Sequence, residues 1–140
     1  MNTKRFLVAM GVVGLFLIAK PAIAHHSFAA EFDANKPVSL TGTIKSMDWV
    51  NPHSWLFIDV KQPDGRVVTW SLEFGASNAL LRRGWRKTDL PVGVQVTITG
   101  FQAKDGSPKA NARDVTLGDG RKLFAGTAGQ APGEGGERGF

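Results

Sequence analysis

The three histidines of this 140-residue chain lie in two short motifs, His25-His26-Ser27 and Asn51-Pro52-His53. The first motif directly follows Ala22-Ile23-Ala24, which has the small residues of a signal-peptidase site. Cleavage after Ala24 would make His25 the first residue and would give it a free α-amine beside its own imidazole. These two nitrogens and one further imidazole would form a T-shaped set of three nitrogen ligands for a metal ion.

Copper(II) is the ion that such a set of donors favours, because it prefers tetragonal nitrogen ligands and heads the affinity order of divalent metals. His53 is the natural third ligand, and we call this arrangement the His25–His53 brace. A competing chelate uses the amine, the deprotonated amide of His26 and the His26 imidazole. Both chelates share the amine, so one ion uses only one of them, and protons compete with either as the pH falls below neutrality.

The alternative to a metal site is that these histidines have no role beyond the structure. A His-His pair at a chain terminus needs no role, and His53 beside a proline corner can simply bond a backbone carbonyl. Cysteine is absent, and Met47 is the only methionine outside the first 24 residues. A soft copper(I) site, a thiol nucleophile and disulfide bonds are therefore not supported.

Glu73 interrupts the apolar run around Trp70, Leu72 and Phe74. Strict alternation directs its side chain away from the core, so we expect a solvated carboxylate paired with an arginine. In a second interpretation, Glu73 reaches the corner at His53, where it is an outer partner of the metal ligand or a weak ligand itself.

Trp49 and Trp55 bracket the Asn-Pro-His corner, and Trp55 shares the outward register with Phe57. We expect these aromatic side chains to form either a surface on which a ligand stacks or a surface that the N-terminal segment covers. We favour the second, because Phe28 and Phe32 must dock somewhere, and docking there would bring the chain start towards the corner.

Residues 1–24 have the layout of a secretory signal peptide, with Lys4 and Arg5 before an apolar run that ends at Ala19. The run has about 14 residues, fewer than the ~20 that a permanent membrane helix needs. We expect a periplasmic or secreted protein without a permanent span. The net charge of +5 becomes 5 − 3 = +2 without Lys4, Arg5 and Lys20, which argues against a nucleic-acid partner.

The pattern along the rest of the chain predicts an all-β domain over residues 25–124 and a disordered, glycine-rich tail over 125–140. Alternating apolar residues predict strands at Val38–Ile44, Trp55–Val60, Val68–Phe74, Val94–Thr99 and, more weakly, Ala110–Leu117, with a short edge at Leu123-Phe124. Turns at Pro63-Asp64-Gly65 and Asp105-Gly106-Ser107 predict hairpins, and Ser77 and Gly84 bound a short helix.

The predicted order of three strands, a helix and two strands is that of an OB-fold-like, five-stranded Greek-key barrel. Gly42 and Gly100 take inward positions, where a small barrel must coil sharply. A two-sheet sandwich is the alternative, but it needs about seven strands.

The chain also resembles a family of small exported proteobacterial proteins of unknown function, the DUF6152 type. The resemblance covers the chain from His25 to about Leu123 and imports no activity. It rests on the stretch His25–Asp33, on Gly42 and Trp49–His53, on Trp70–Glu73, on Leu81–Trp85, and on Gly93 with Val96–Gly100.

We therefore expect an exported, non-enzymatic binding or accessory protein that binds copper(II) through His25 and the Asn-Pro-His corner. The alternative is a metal-free module that holds a peptide, a glycan or a partner protein on the aromatic face of Trp49, Trp55 and Phe57. A redox enzyme of the copper monooxygenase kind is the third hypothesis and is disfavoured, because it needs an open substrate platform.

Overall fold

The computed structural model describes residues 26–127, and this region is mostly β. The expectation of an all-β chain with few helices is confirmed at this level. The body that carries the sheet begins at Glu31. The elements are α1 (His26–Glu31), β1 (Phe32–Asp48), β2 (Trp55–Lys61), β3 (Val67–Glu73), α2 (Ser77–Arg82), a 3-10 helix (Lys87–Asp89), β4 (Gln95–Ala103), β5 (Lys109–Thr116) and β6 (Lys122–Phe124).

The strands form one six-stranded sheet in the order β3-β2-β1-β4-β5-β6, with neighbours antiparallel. In addition, β3 pairs with β5 in parallel, with Leu72 opposite Ala110 and Glu73 opposite Asn111. This pairing joins two strands that are distant in sequence, and it places Glu73 and Asn111 next to each other.

The predicted hairpin turns are present. Gly65 in the β2–β3 turn and Gly106 in the β4–β5 turn both have positive φ, the conformation that glycine adopts without steric cost. Asp64 and Asp105 close these turns by accepting hydrogen bonds from the backbone N–H groups of Arg66 and Ser107. The Asp-Gly pairs therefore set the register of both hairpins.

The core lies on the inward face of the strands and beneath α2. Its largest fully buried side chain in the described region is Trp85, whose Nε1 donates to the carbonyl oxygen of Phe124 at 2.9 Å. Val94 was predicted on an inward position of strand four, but it precedes β4 and is 39% exposed. The aliphatic core includes Ile44, Leu56, Ile58, Leu72, Leu80, Val96, Ile98 and Val115.

Two glycines allow close approaches between strands. A Cβ at Gly42 would lie 2.8 Å from the carbonyl oxygen of Asp59, and one at Gly100 would overlap the carbonyl oxygen of Asn111. The register of β4 against β5 shifts between Thr99 and Gly100. The glycines expected at inward positions are thus required by backbone contacts.

Several predicted boundaries are corrected. Strand β1 is longer than expected because its start pairs with β4, with Phe32 opposite Ala103. Ser77 lies inside α2, and Ala76 is the N-cap, with no side-chain cap. Ala125 is buried, and its N–H donates to the carbonyl of Arg113, so the folded region continues past Phe124.

The predicted signal peptide, His25 and most of the predicted tail, residues 128–140, lie outside the described residues. Between residues 26 and 127, no helix is long and apolar enough to cross a lipid bilayer.

Candidate functional site

The Asn-Pro-His corner joins β1 to β2 and is fixed by the residue that follows it. The backbone N–H of Ser54 donates to the carbonyl of Gly75 at 3.1 Å, and the Ser54 carbonyl accepts from the N–H of Phe74 at 2.8 Å. The Ser54 hydroxyl also donates to the carbonyl of Val50. These bonds hold His53 beside the end of β3.

His53 faces the carboxylate of Glu73. Its Nδ1 lies 3.3 Å from Oε1 of Glu73 and is buried, without the alignment of a hydrogen bond. Glu73 is only 7% exposed, whereas the side chain of His53 is 33% exposed. The expected solvated carboxylate paired with an arginine is therefore wrong, because Glu73 is buried against the corner.

Asn111 completes this group of side chains on the other side of Glu73. It is 1% exposed, and its Nδ2 donates to Oε1 of Glu73 at 3.5 Å, at the long end of the hydrogen-bond range. Its Oδ1 is buried without a hydrogen-bond partner. We call His53, Glu73 and Asn111 the polar row.

Charged and aromatic side chains flank the polar row. Lys109 Nζ lies 2.6 Å from Oε2 of Glu31, and it also lies 5.5 Å from the ring centroids of both Phe32 and Trp55. An ammonium within about 6 Å of an aromatic ring is attracted to the face of that ring. Lys109 therefore ties the start of the body to the outward side of β2.

The burial of Glu73 raises the pKa of its carboxyl above the ordinary value. The charges of His53 and Lys109 and the hydrogen bond from Asn111 oppose this rise, whereas the negative charge of Glu31 adds to it. Removing a neighbouring positive charge or a hydrogen-bond donor would thus favour the protonated carboxyl.

The polar row alone does not make a complete metal site. Among residues 26–127, no group of three or more histidine, aspartate and glutamate side chains converges to hold an ion. The row offers one imidazole, that of His53, with Glu73 behind it. His25 lies outside the described residues, and His26 is described only as the first residue of α1, without its side chain.

The three aromatic residues proposed as a ligand surface do not share one environment. Trp49 packs against the core, edge-on to Trp85 at a centroid distance of 6.2 Å. Trp55 lies beside the ammonium of Lys109, and Phe57 is half-buried two residues further along β2. Trp49 thus packs on the core, whereas Trp55 and Phe57 share the outward face of β2.

Sequence reasoning did not identify Asn111 or Lys109 as members of the site. Both lie on β5, and their nearness to Glu73 depends on the parallel pairing of β3 with β5. A polar residue between Ala110 and Ala112 was the only local signal.

Comparison with known proteins yields a family but no activity. The model of a family of unknown function, DUF6152, matches residues 13–112, and the chain belongs to this family. The match includes the polar row and confirms the resemblance noted from the sequence. Neither the curated proteins nor the solved structures include a match to this chain.

Proposed function

We propose that this DUF6152 member is an exported, non-enzymatic binding protein for copper(II). The ion would be held by the α-amine and imidazole of His25, freed by removal of residues 1–24, and by the imidazole of His53. The observation that carries the proposal is the burial of His53 Nδ1 against the carboxylate of Glu73.

A histidine that binds a metal commonly donates its other ring N–H to a carboxylate, which fixes the tautomer and makes the ligand more basic. His53 Nδ1 is buried, yet one third of the side chain is exposed. Because Nδ1 is the buried ring nitrogen, Nε2 would be the nitrogen that binds an ion. This geometry suits a ligand better than a surface residue without a role.

The chain itself limits how far His25 can lie from the body. His25 precedes Glu31 by six residues, which span at most about 20 Å when fully extended. Glu31 is bound to Lys109, and its charge acts on Glu73. A processed N-terminus would thus stay within about 20 Å of Glu31.

The pairing of strands supports a closed, OB-like barrel of Greek-key type as the platform for this site. The circuit β1–β2–β3–β5–β4–β1 returns to its first strand through the parallel β3–β5 pair, and β6 is added outside it. Residues on a small barrel are held by ladders on both sides, which suits a ligand that must be fixed in position.

The metal-free alternative has less support from the aromatic residues. A stacking surface needs open rings, but Trp49 packs on the core and Trp55 lies beside Lys109. Phe57 remains as a half-buried ring on the outward face.

The proposal is tested with protein that begins at His25, titrated with copper(II) against a competing chelator. We expect His25→Ala and His53→Ala each to weaken binding by more than about tenfold, the low end of the loss found when a metal ligand loses a hydrogen-bonding partner, because each variant removes a ligand itself. His26→Ala is the matched control and should change affinity little. Affinity that falls with His26→Ala but not with His53→Ala would instead identify the amine–amide–His26 chelate.

A separate measurement tests export. Mass spectrometry of the protein recovered from the periplasm of an expressing bacterium should show His25 as the first residue. Any other first residue would contradict the site, because the amine would then belong to a different residue.

A further inference from the structure

We propose that Asn111 is a positioning residue for His53 and acts through Glu73. It holds Oε1 of Glu73 against Nδ1 of His53, so that the ring carries its proton on Nδ1 and its lone pair on Nε2. The consequence for copper rests on the proposed function, whereas the effect on the tautomer does not.

The burial of Asn111 calls for an explanation. A buried amide is unfavourable unless it is hydrogen-bonded, and an apolar residue would pack between Ala110 and Ala112 without this cost. The bond from Nδ2 to Glu73 is the hydrogen bond that its side chain makes within residues 26–127, and Oδ1 is unpaired. The role of the buried Asn111 side chain is therefore to donate a hydrogen bond to the carboxylate of Glu73.

The same carboxylate oxygen of Glu73 contacts both Asn111 and His53. Oε1 accepts from Asn111 Nδ2 and lies 3.3 Å from His53 Nδ1. A proton on Nδ1 makes this approach attractive, whereas a lone pair there would repel the carboxylate. The nearby carboxylate oxygen therefore favours the Nδ1–H tautomer through charge, without the alignment of a hydrogen bond.

The other charged groups that face Glu73 do not replace Asn111. Lys109 acts on Glu73 through its charge, but its ammonium is engaged by Oε2 of Glu31 at 2.6 Å. Glu31 is itself negative and cannot donate to the carboxylate. Within the described region, Asn111 is the side chain that donates a hydrogen bond to Glu73.

The experiment uses metal-free protein that begins at His25 and carries ¹⁵N-labelled histidine. The imidazole ¹⁵N shifts of His53 are read by NMR under mildly alkaline conditions. We expect Nδ1–H in the wild type and a clear shift towards Nε2–H in Asn111→Leu. Asn111→Ser, which keeps a short donor, should retain more of the Nδ1–H form.

A double-mutant comparison shows whether Asn111 acts through Glu73. In a Glu73→Gln background, Asn111→Leu should have no further effect on the tautomer. Copper(II) affinity should fall about tenfold in Asn111→Leu and in Glu73→Gln. If the wild type binds no copper(II) but the tautomer responds as expected, the proposed function fails and this inference stands.

Two results would overturn the inference: an Nε2–H ring in the wild type, or an unchanged ring in a folded Asn111→Leu variant. If the Asn111 variants do not fold, the wild-type side-chain amide protons of Asn111 provide the test. They should exchange slowly with solvent and shift in Glu73→Gln. Exchange as fast as that of an exposed asparagine would contradict the hydrogen bond.

Discussion

Gly100 of β4 lies directly against the backbone of Asn111 in β5. A Cβ at position 100 would overlap the carbonyl oxygen of Asn111 and would lie 3.0 Å from its carbonyl carbon. The neighbouring atoms belong to the backbone, so they cannot move aside as a flexible side chain would. This contact lets β5 approach β4 at the register shift, and it therefore fixes the strand that carries Asn111.

We predict that Gly100→Ala lowers the free energy of unfolding by about 1–3 kcal/mol, the usual cost of overpacking, or more where only backbone can yield. Urea denaturation followed by tryptophan fluorescence measures the change. Gly118→Ala is the matched control, because its Cβ would meet nothing closer than 3.4 Å, the methyl group of Val94. Equal stability of the two variants would contradict the close approach.

Asp89 gives the fold a dependence on pH. Burial alone would raise the pKa of its carboxyl, but hydrogen bonds from Arg121 and from the N–H of Arg86 and the charges of both arginines lower it below the ordinary value. A lowered pKa in the folded state adds stability above the unfolded value of about 3.9, and this stability is lost as the pH falls through the folded value.

We therefore predict that Asp89→Asn is less stable than the wild type by about 1–3 kcal/mol at pH 7. The difference should shrink as the pH falls below about 4. Thermal unfolding between pH 2.5 and pH 7 checks both statements. Asp114→Asn, which removes a half-exposed ion pair with Arg113, should cost less than about 1 kcal/mol. A difference for Asp89→Asn that is constant with pH would rule out this origin.

Lys109 should stabilise the start of the body. Lys109→Met removes its ion pair with Glu31 and its position over the rings of Phe32 and Trp55. These interactions together contribute about 1 kcal/mol, so local opening should become about fivefold more frequent. Hydrogen exchange of the amides of residues 32–34 measures the frequency of this opening.

Lys45→Met is the control for that experiment, because it removes a more exposed ion pair, with Asp59 at 3.8 Å. Exchange at residues 32–34 should then stay as in the wild type. Faster exchange in both variants would indicate a general effect of removing a lysine.

The local signals of the sequence predicted much of the fold. Asp64-Gly65 and Asp105-Gly106 identify the hairpin turns. Glycine readily adopts the positive φ that a tight turn needs, and aspartate is one of the few residues that suit the position before it. The strands between them follow from alternation. The long start of β1 was missed because Ala34, Asn35 and Lys36 show no alternation of apolar and polar residues.

The candidate site was only partly predictable. His53 could be identified because histidines are few, and the alternation correctly directed Glu73 away from the main core. Alternation assigns a side of the sheet but does not tell whether that side is covered, so the burial of Glu73 could not be foreseen. Asn111 depends on a parallel pairing between distant strands, for which short sequence patterns carry no signal.

In the proposed site, His53 and the processed N-terminus bind one copper(II) ion together. Pulsed electron paramagnetic resonance counts coordinated imidazoles through the remote ring nitrogens of each. We expect two coordinated imidazoles in protein that begins at His25 and one in His53→Ala. The same number of imidazoles in both proteins would contradict it.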